Sequence, residues 1–168
     1  RVLGLLGREP VLLDEDRLHE WLHGRSILVT GDGGSIGSEL CRQIARFEPA
    51  RLVLYEHNEF ALYSMEQEFA EQHPGIGLTC MIGDIRNAAR LAEALSAHRP
   101  EGVFHAAAYK QAPLMEQHDA WEAIQNNVLG TLHVAEAAIA HGVEKFVMVS
   151  TDKAVNPTDV MGASKRLA

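Results

Sequence analysis

The chain has 168 residues, 46% of them hydrophobic, which is the size and apolar content of one domain with a real core. Its formal charge is −8 at neutral pH, and a nucleic-acid backbone needs a basic face that is not visible here, so nucleic acid is excluded as a partner. A polyanionic ligand must then be held by local geometry and not by the overall field. No apolar run approaches the ~20 residues of a membrane span and no signal peptide is present. The first residue is Arg1 and the last lies inside an apparent helix, so a piece of a longer protein is expected, whose own membrane status is left open.

Residues 1–24 read as a lead-in segment that packs on the domain: Leu3, Leu5 and Leu6, a turn at Pro10, then a short amphipathic helix over 14–23. His19 and His23 stand one turn apart but have no third ligand nearby, so they read as a solvated face and no metal is expected. From residue 25 to 168 short apolar runs alternate strictly with helical patterns. Strands are expected over 26–31, 51–56, 78–83, 103–108 and 145–150. Helices are expected over 35–47, 59–73, 88–98 and 121–141, with a last one starting near Met161. The alternation implies a doubly wound parallel α/β sheet of the Rossmann type, covered by helices on both faces. Cys41 and Cys80 lie in apolar stretches and read as small buried hydrophobes of a reducing, cytoplasmic compartment.

The first strand runs into Thr30-Gly31-Asp32-Gly33-Gly34-Ser35-Ile36-Gly37, and the next helix opens on it. Glycines at Gly31, Gly34 and Gly37 allow a sharp turn, close approach to a pyrophosphate and tight helix packing. Gly33, Ser35 and Ile36 complete the loop, and the amides and dipole of the helix N-terminus favour phosphate. The expected ligand is therefore a dinucleotide, NAD(P). Glu56 ends the second strand, where Rossmann domains place an acid against the adenosine ribose; a solvated strand-end glutamate is the alternative. An acid there repels the extra phosphate of NADP, and Asp32 in the loop points the same way, so NAD is the expected cofactor and NADP the alternative. Asp84 and Ile85 after strand three are placed to meet the adenine, with Ala106 and Ala107 toward the end of strand four as further cofactor contacts.

Several further runs carry a resemblance. TGxxGxxG, GDIRN at 83–87, HAAAYK at 105–110 and NNVLGT at 126–131 resemble an extended short-chain dehydrogenase/reductase acting on nucleotide sugars. The run from Ser150 to Thr158, followed by Met161-Gly162-Ala163-Ser164-Lys165-Arg166, is more specific. It resembles the bacterial capsule and O-antigen group of UDP-N-acetylglucosamine 4,6-dehydratases. The lead-in LLGREPVLLD is similar to the linker that group carries after an N-terminal membrane region. The resemblance so implies a parent anchored at the cytoplasmic face of the bacterial inner membrane. It covers nearly the whole chain, with Asp32 standing where the group has a small residue such as alanine.

What the resemblance implies for chemistry follows residue by residue. A tyrosine four places before a lysine serves as proton acceptor in the wider superfamily; here that place is Met161, a pocket-lining hydrophobe, and Lys165 keeps the contact to the nicotinamide ribose. Lys153 is implied as the base at C5 of the sugar and Asp152 as the acid at C6, each tuned by burial and by its neighbour. Thr151 orients the 4-hydroxyl, and either Asp152 or a water held by Thr151 removes its proton. Asn127 is implied to prop the active site, with a buried structural amide as the equal alternative. Lys110 faces the UDP-sugar or else is a solvated loop lysine. The resemblance also implies a homo-oligomer paired through the 121–141 helix and the helix from Met161. A 4-epimerase and a non-catalytic NAD(P)-binding module are the competing readings. With the substrate segment not present, the 168 residues are expected to bind the dinucleotide without turning over a sugar.

Overall fold

The computed structural model describes residues 14–109 and 119–168. Helix α1 (Glu15–Leu22) is capped by Asp14 and leads into strand β1 (Ser26–Thr30). Then follow α2 (Ser35–Ala45), β2 (Arg51–Glu56), α3 (Glu59–Gln72), β3 (Gly77–Ile82), α4 (Ala88–His98) and β4 (Gly102–His105). Helix α5 (Ala120–Ile124) passes through a π-helical turn (Gln125–Gly130) into α6 (Thr131–Ala140). Strand β5 (Lys145–Met148), a 3₁₀ turn (Asp152–Ala154) and α7 (Val160–Leu167) complete the described chain.

All pairings are parallel and the strand order is β3-β2-β1-β4-β5. Strand residues alternate between faces, so β1, β2 and β4 each feed two cores. Ile27, Val29, Leu52, Leu54 and Phe104 pack under α2 and α3 with Ile44 and Phe69. Leu28, Val53 and Val103 pack under α4 and α6 with Leu91, Leu95 and Val134. Leu22 of α1 joins the first core, and the Trp21 ring lies 5.3 Å from that of Phe104. The chain winds outward to one side after β1 and to the other after β4, so a crevice opens between those two strand ends.

Most bounds fall within two residues of the sequence expectation, and two features depart further. Strand β4 stops at His105, three residues early, where the chain passes tightly against the glycine loop: a Cβ on Gly31 would overlap the Ala107 amide nitrogen. The expected long helix is interrupted by the π turn, which the local pattern does not announce.

Candidate functional site

The crevice is built on glycine. Gly31 has φ +76°, its amide donates to the Tyr55 carbonyl at 3.2 Å, and its own carbonyl accepts from Gly34 at 3.3 Å. A Cβ on Gly37 would run into that same carbonyl, so α2 packs closer than any other residue permits. Helices α1, α3, α4 and α7 each have a side-chain cap, from Asp14, Asn58, Asn87 and Asp159. Helix α2 has Gly34 at its cap position and no side-chain cap bond. Its first amides have no intrahelical acceptor, and they face a cleft of about 810 Å³.

Gly31, Gly33, Gly34, Ser35, Glu56, Asp84, Ile85, Ala106 and Ala107 all line this cleft, so nine of the residues singled out as dinucleotide contacts meet in one place. Glu56 is only 5% exposed; its carboxylate accepts from the Gly33 amide at 3.0 Å and the Asn58 amide at 2.9 Å. His57 Nδ1 lies 2.8 Å from the same carboxylate. Asp84 is held by Arg86 through both carboxylate oxygens and the Arg86 amide, which keeps its carboxyl below the usual range. Arg86 also reaches Glu122 at 2.7 Å, tying the end of β3 to α5. His57, Glu122, Asn126 and Tyr109 stand on the wall without having been expected there. Arg86 was legible as a cation two residues after Asp84, whereas the others arrive through tertiary packing.

A second cavity of about 330 Å³ shares Ala106 and Ala108 with the first and is lined by Ile36, Val149, Thr151, Lys153, Met161 and Lys165. Lys165 is nearly buried and its Nζ donates to the Val149 carbonyl at 3.2 Å. Met161 is buried with Ala123 at the cavity wall. The Thr151 hydroxyl donates to Asp152 Oδ1 at 3.1 Å and accepts from the Lys153 amide at 3.4 Å. Asp152 and Lys153 are both exposed, and Asp152 is not on the cavity wall. The burial expected to tune these two groups is therefore not supplied by the described residues. Lys110 lies outside the described residues.

Asn127 has the buried setting of its alternative reading, whereas Asp32 sits differently from expectation. Asn127 is fully buried and reaches neither cavity; it accepts from the Tyr109 amide at 2.8 Å and donates to Tyr109 oxygen and Ser164 Oγ. It therefore fixes the end of β4 against α7, a positioning role. Asp32, expected to face a phosphate, is wholly buried beneath the loop with neither carboxylate oxygen hydrogen-bonded. Burial first, and then the charge of Glu56, push its carboxyl up to about 7. It makes no contact with the cleft, because the loop backbone lies between them. Among the described residues no cluster of three or more metal-ligating side chains occurs.

Residues 27–168 match a family model described as polysaccharide biosynthesis protein. The chain is 50% identical to the capsular polysaccharide biosynthesis protein CapD of Staphylococcus aureus over 98% of its own length and 27% of that protein. It is 33% identical to a UDP-N-acetylglucosamine 4,6-dehydratase (inverting) of Campylobacter jejuni and 36% identical to a UDP-glucose 4-epimerase of Rickettsia massiliae. Each of these two matches covers 85% of this chain and 41% of the relative. The chain thus spans between a quarter and a half of the length of these relatives. The X-ray structure of Pen from Bacillus thuringiensis superimposes with a TM-score of 0.80 at 30% identity, over 87% of this chain and 43% of that one.

Proposed function

The chain belongs to the polysaccharide biosynthesis protein family, and on that premise we propose that it is the dinucleotide-holding part of a nucleotide-sugar 4,6-dehydratase of bacterial surface polysaccharide synthesis. UDP-N-acetylglucosamine or a close relative is the substrate. The observation that carries this reading is the second cavity. Met161 stands where a proton-accepting phenol would serve a simple oxidation, and Thr151, Lys153 and Lys165 line the same wall.

The residues fit a dinucleotide. The cradle at Gly31 and Gly37 has no room for a Cβ, and the uncapped amides of α2 face the cleft. Ser35 and Ile36 would meet the pyrophosphate, Glu56 the adenosine ribose, Asp84 and Ile85 the adenine, and Lys165 the nicotinamide ribose. A bound NAD would supply the hydride acceptor for C4 of the sugar. Thr151 orients the 4-hydroxyl, and its proton leaves to Asp152 or to a water held by Thr151. Oxidation at C4 acidifies C5–H, which Lys153 removes; Asp152 protonates the departing C6 hydroxyl and water leaves, and Lys153 returns its proton to C5; the reduced cofactor, if bound, would supply the hydride for C6. The exposed Asp152 and Lys153 are then covered by the sugar itself. The outward Trp121, Leu129, Leu132 and Ile139 of α5 to α6 support pairing of two copies. Among the described residues no helix is long and apolar enough to cross a membrane. We place the domain in the cytoplasm, with a membrane anchor elsewhere in the parent.

A 4-epimerase is the second reading, favoured by the match to proteins of that name. Full-length protein incubated with UDP-N-acetylglucosamine separates the alternatives by mass spectrometry. Dehydration removes about 18 mass units, epimerisation changes stereochemistry at constant mass, and a pure binding module changes nothing. In the same protein Lys153→Met should abolish water loss, by two to four orders of magnitude at roughly the usual weight of a positioned base, while leaving dinucleotide affinity unchanged. Near-normal dehydration by that variant would overturn the assignment.

A further inference from the structure

We propose that the glycine loop takes up a dinucleotide together with one proton, carried by Asp32. The inference rests on the dinucleotide reading above and adds a requirement for binding. Asp32 is the residue between Gly31 and Gly33, so its backbone is part of the turn that would face the pyrophosphate. Its side chain is 0% exposed, and neither oxygen has a hydrogen-bond partner. The turn pins it there: a Cβ on Gly37 would lie 2.8 Å from Asp32 Cα.

Only the backbone amide of Asp32 itself favours an ionised carboxylate, and burial and the Glu56 charge outweigh it. From β2 comes the Glu56 carboxylate, a like charge, with His57 on its far side. From α2 comes the Cys41 thiol and from β3 the Cys80 thiol; burial holds both up and the Asp32 charge holds them up further. Among the described residues no cation pairs with Asp32. A carboxyl so enclosed is accommodated as the neutral acid, in keeping with a value raised to about 7. A pyrophosphate on the amides of the same turn adds two negative charges on the other side of the backbone. Ionisation of Asp32 becomes costlier still, so the bound state keeps the proton to higher pH than the free state. Binding and protonation are then linked. Below neutrality the proton is already in place and affinity does not respond to pH. Above neutrality each dinucleotide must bring a proton from solution.

NAD titrations of the chain from pH 6 to 9, beside Asp32→Ala and Asp32→Asn, test this. The dissociation constant of the unaltered chain should be level to about pH 7 and then rise by up to about tenfold per pH unit, the slope of one linked proton. Both variants should stay level, which also removes any contribution from His57. Calorimetry in two buffers of different ionisation enthalpy should register close to one proton taken up per NAD at pH 8.5 and none at pH 6. Equal slopes in the chain and both variants, or binding at pH 8.5 with no proton uptake, would overturn the proposal. Failure of all three proteins to bind NAD at pH 6, where Asp32 is neutral, would instead overturn the dinucleotide reading and this inference with it.

Discussion

His105 donates from Nε2 to the hydroxyl of Thr131 at 2.8 Å, and the direction of that bond is set by its neighbour. Thr131 gives its only hydroxyl proton to the Asn127 carbonyl at 2.7 Å, so it can only accept from the imidazole. Burial, and then the charge of Lys165, push His105 down to about 4, which leaves the ring one proton. Nδ1 is therefore bare and accepts from the Thr30 hydroxyl at 2.6 Å. The result is a one-way buried chain from Thr30, beside the glycine loop, to Asn127, which holds Tyr109 and Ser164.

Breaking that chain should be costly. His105→Phe keeps an aromatic ring but strands the hydroxyl of Thr30 in the core. Urea unfolding should show a loss of roughly 2 to 4 kcal/mol, the range for a buried polar group deprived of its partner plus altered packing. A loss under about 1 kcal/mol would mean that the chain contributes little beyond its shape.

Asp32 and His105 make opposite demands on pH. The folded value of Asp32, about 7, exceeds its ordinary 3.8, so its contribution to stability is full below about pH 4 and is lost as pH rises through 7. The folded value of His105, about 4, lies under its ordinary 6.5, so its contribution is full above 6.5 and is lost as pH falls through 4. Between those limits the two slopes cancel. Asp32→Ala should be more stable than the parent chain by about 1 to 3 kcal/mol at pH 8 and no more stable near pH 4. Its stability should also fall from pH 6.5 to 4, where that of the parent changes little. Guanidinium melts at four pH values read both effects, and coincident melts at pH 8 would contradict the buried, unpartnered carboxyl.

Gly31 and Gly24 offer a matched pair. Both have positive φ, +76° and +68°, but a Cβ at Gly24 meets nothing within 4 Å whereas one at Gly31 enters the Ala107 backbone. Gly24→Ala should cost about 1 kcal/mol, the price of the left-handed conformation alone. Gly31→Ala should cost more than about 3 kcal/mol, or prevent folding, because the clash adds to that strain. Similar midpoints in chemical denaturation would show that the loop yields easily.

How much of this could be read in the sequence depends on where the determining contact lies. Strand β2 and helix α4 occur at their expected bounds, since Asn87 as cap and Pro100 beyond the end are local punctuation. The early end of β4 is not local: an Ala-Ala-Ala run bears no stop signal, and the backbone it packs against is that of Gly31, about 75 residues earlier. The glycine loop and the Glu56, Asp84 and Ala106 wall were legible because strand ends in a parallel sheet must converge. Asp32 was misplaced for the same reason that the loop was found. A loop position suggests exposure, but the Gly31 turn folds that one side chain inward.

Glu56 gives the test of cofactor choice. Its carboxylate both carries the charge that would oppose the NADP phosphate and holds the Gly33 amide at 3.0 Å. NAD should therefore bind more tightly than NADP. Glu56→Gln keeps an acceptor for Gly33 and should narrow the gap by about 1 to 2 kcal/mol with little change for NAD. Glu56→Ala should narrow it too but weaken NAD as well, because the loop loses its tether. Equal affinities for the two dinucleotides in the unaltered chain would show that Glu56 serves only the loop.

Asn126 and Asn127 are consecutive, yet one lines the cleft and the other is locked into the core chain with Tyr109 and Ser164. The wider π turn makes this possible, since it sets the rotation between α5, which carries Glu122 to the cleft, and α6, which carries Thr131 to His105. The two halves of the helix are thus phased against each other like two cams on one shaft. Winding the same residues, Gln125 to Gly130, as regular α-helix would turn one half by about 100° relative to the other. Every chemical group would still be present; only their timing around the shaft would be lost, and with it the link between ligand wall and core.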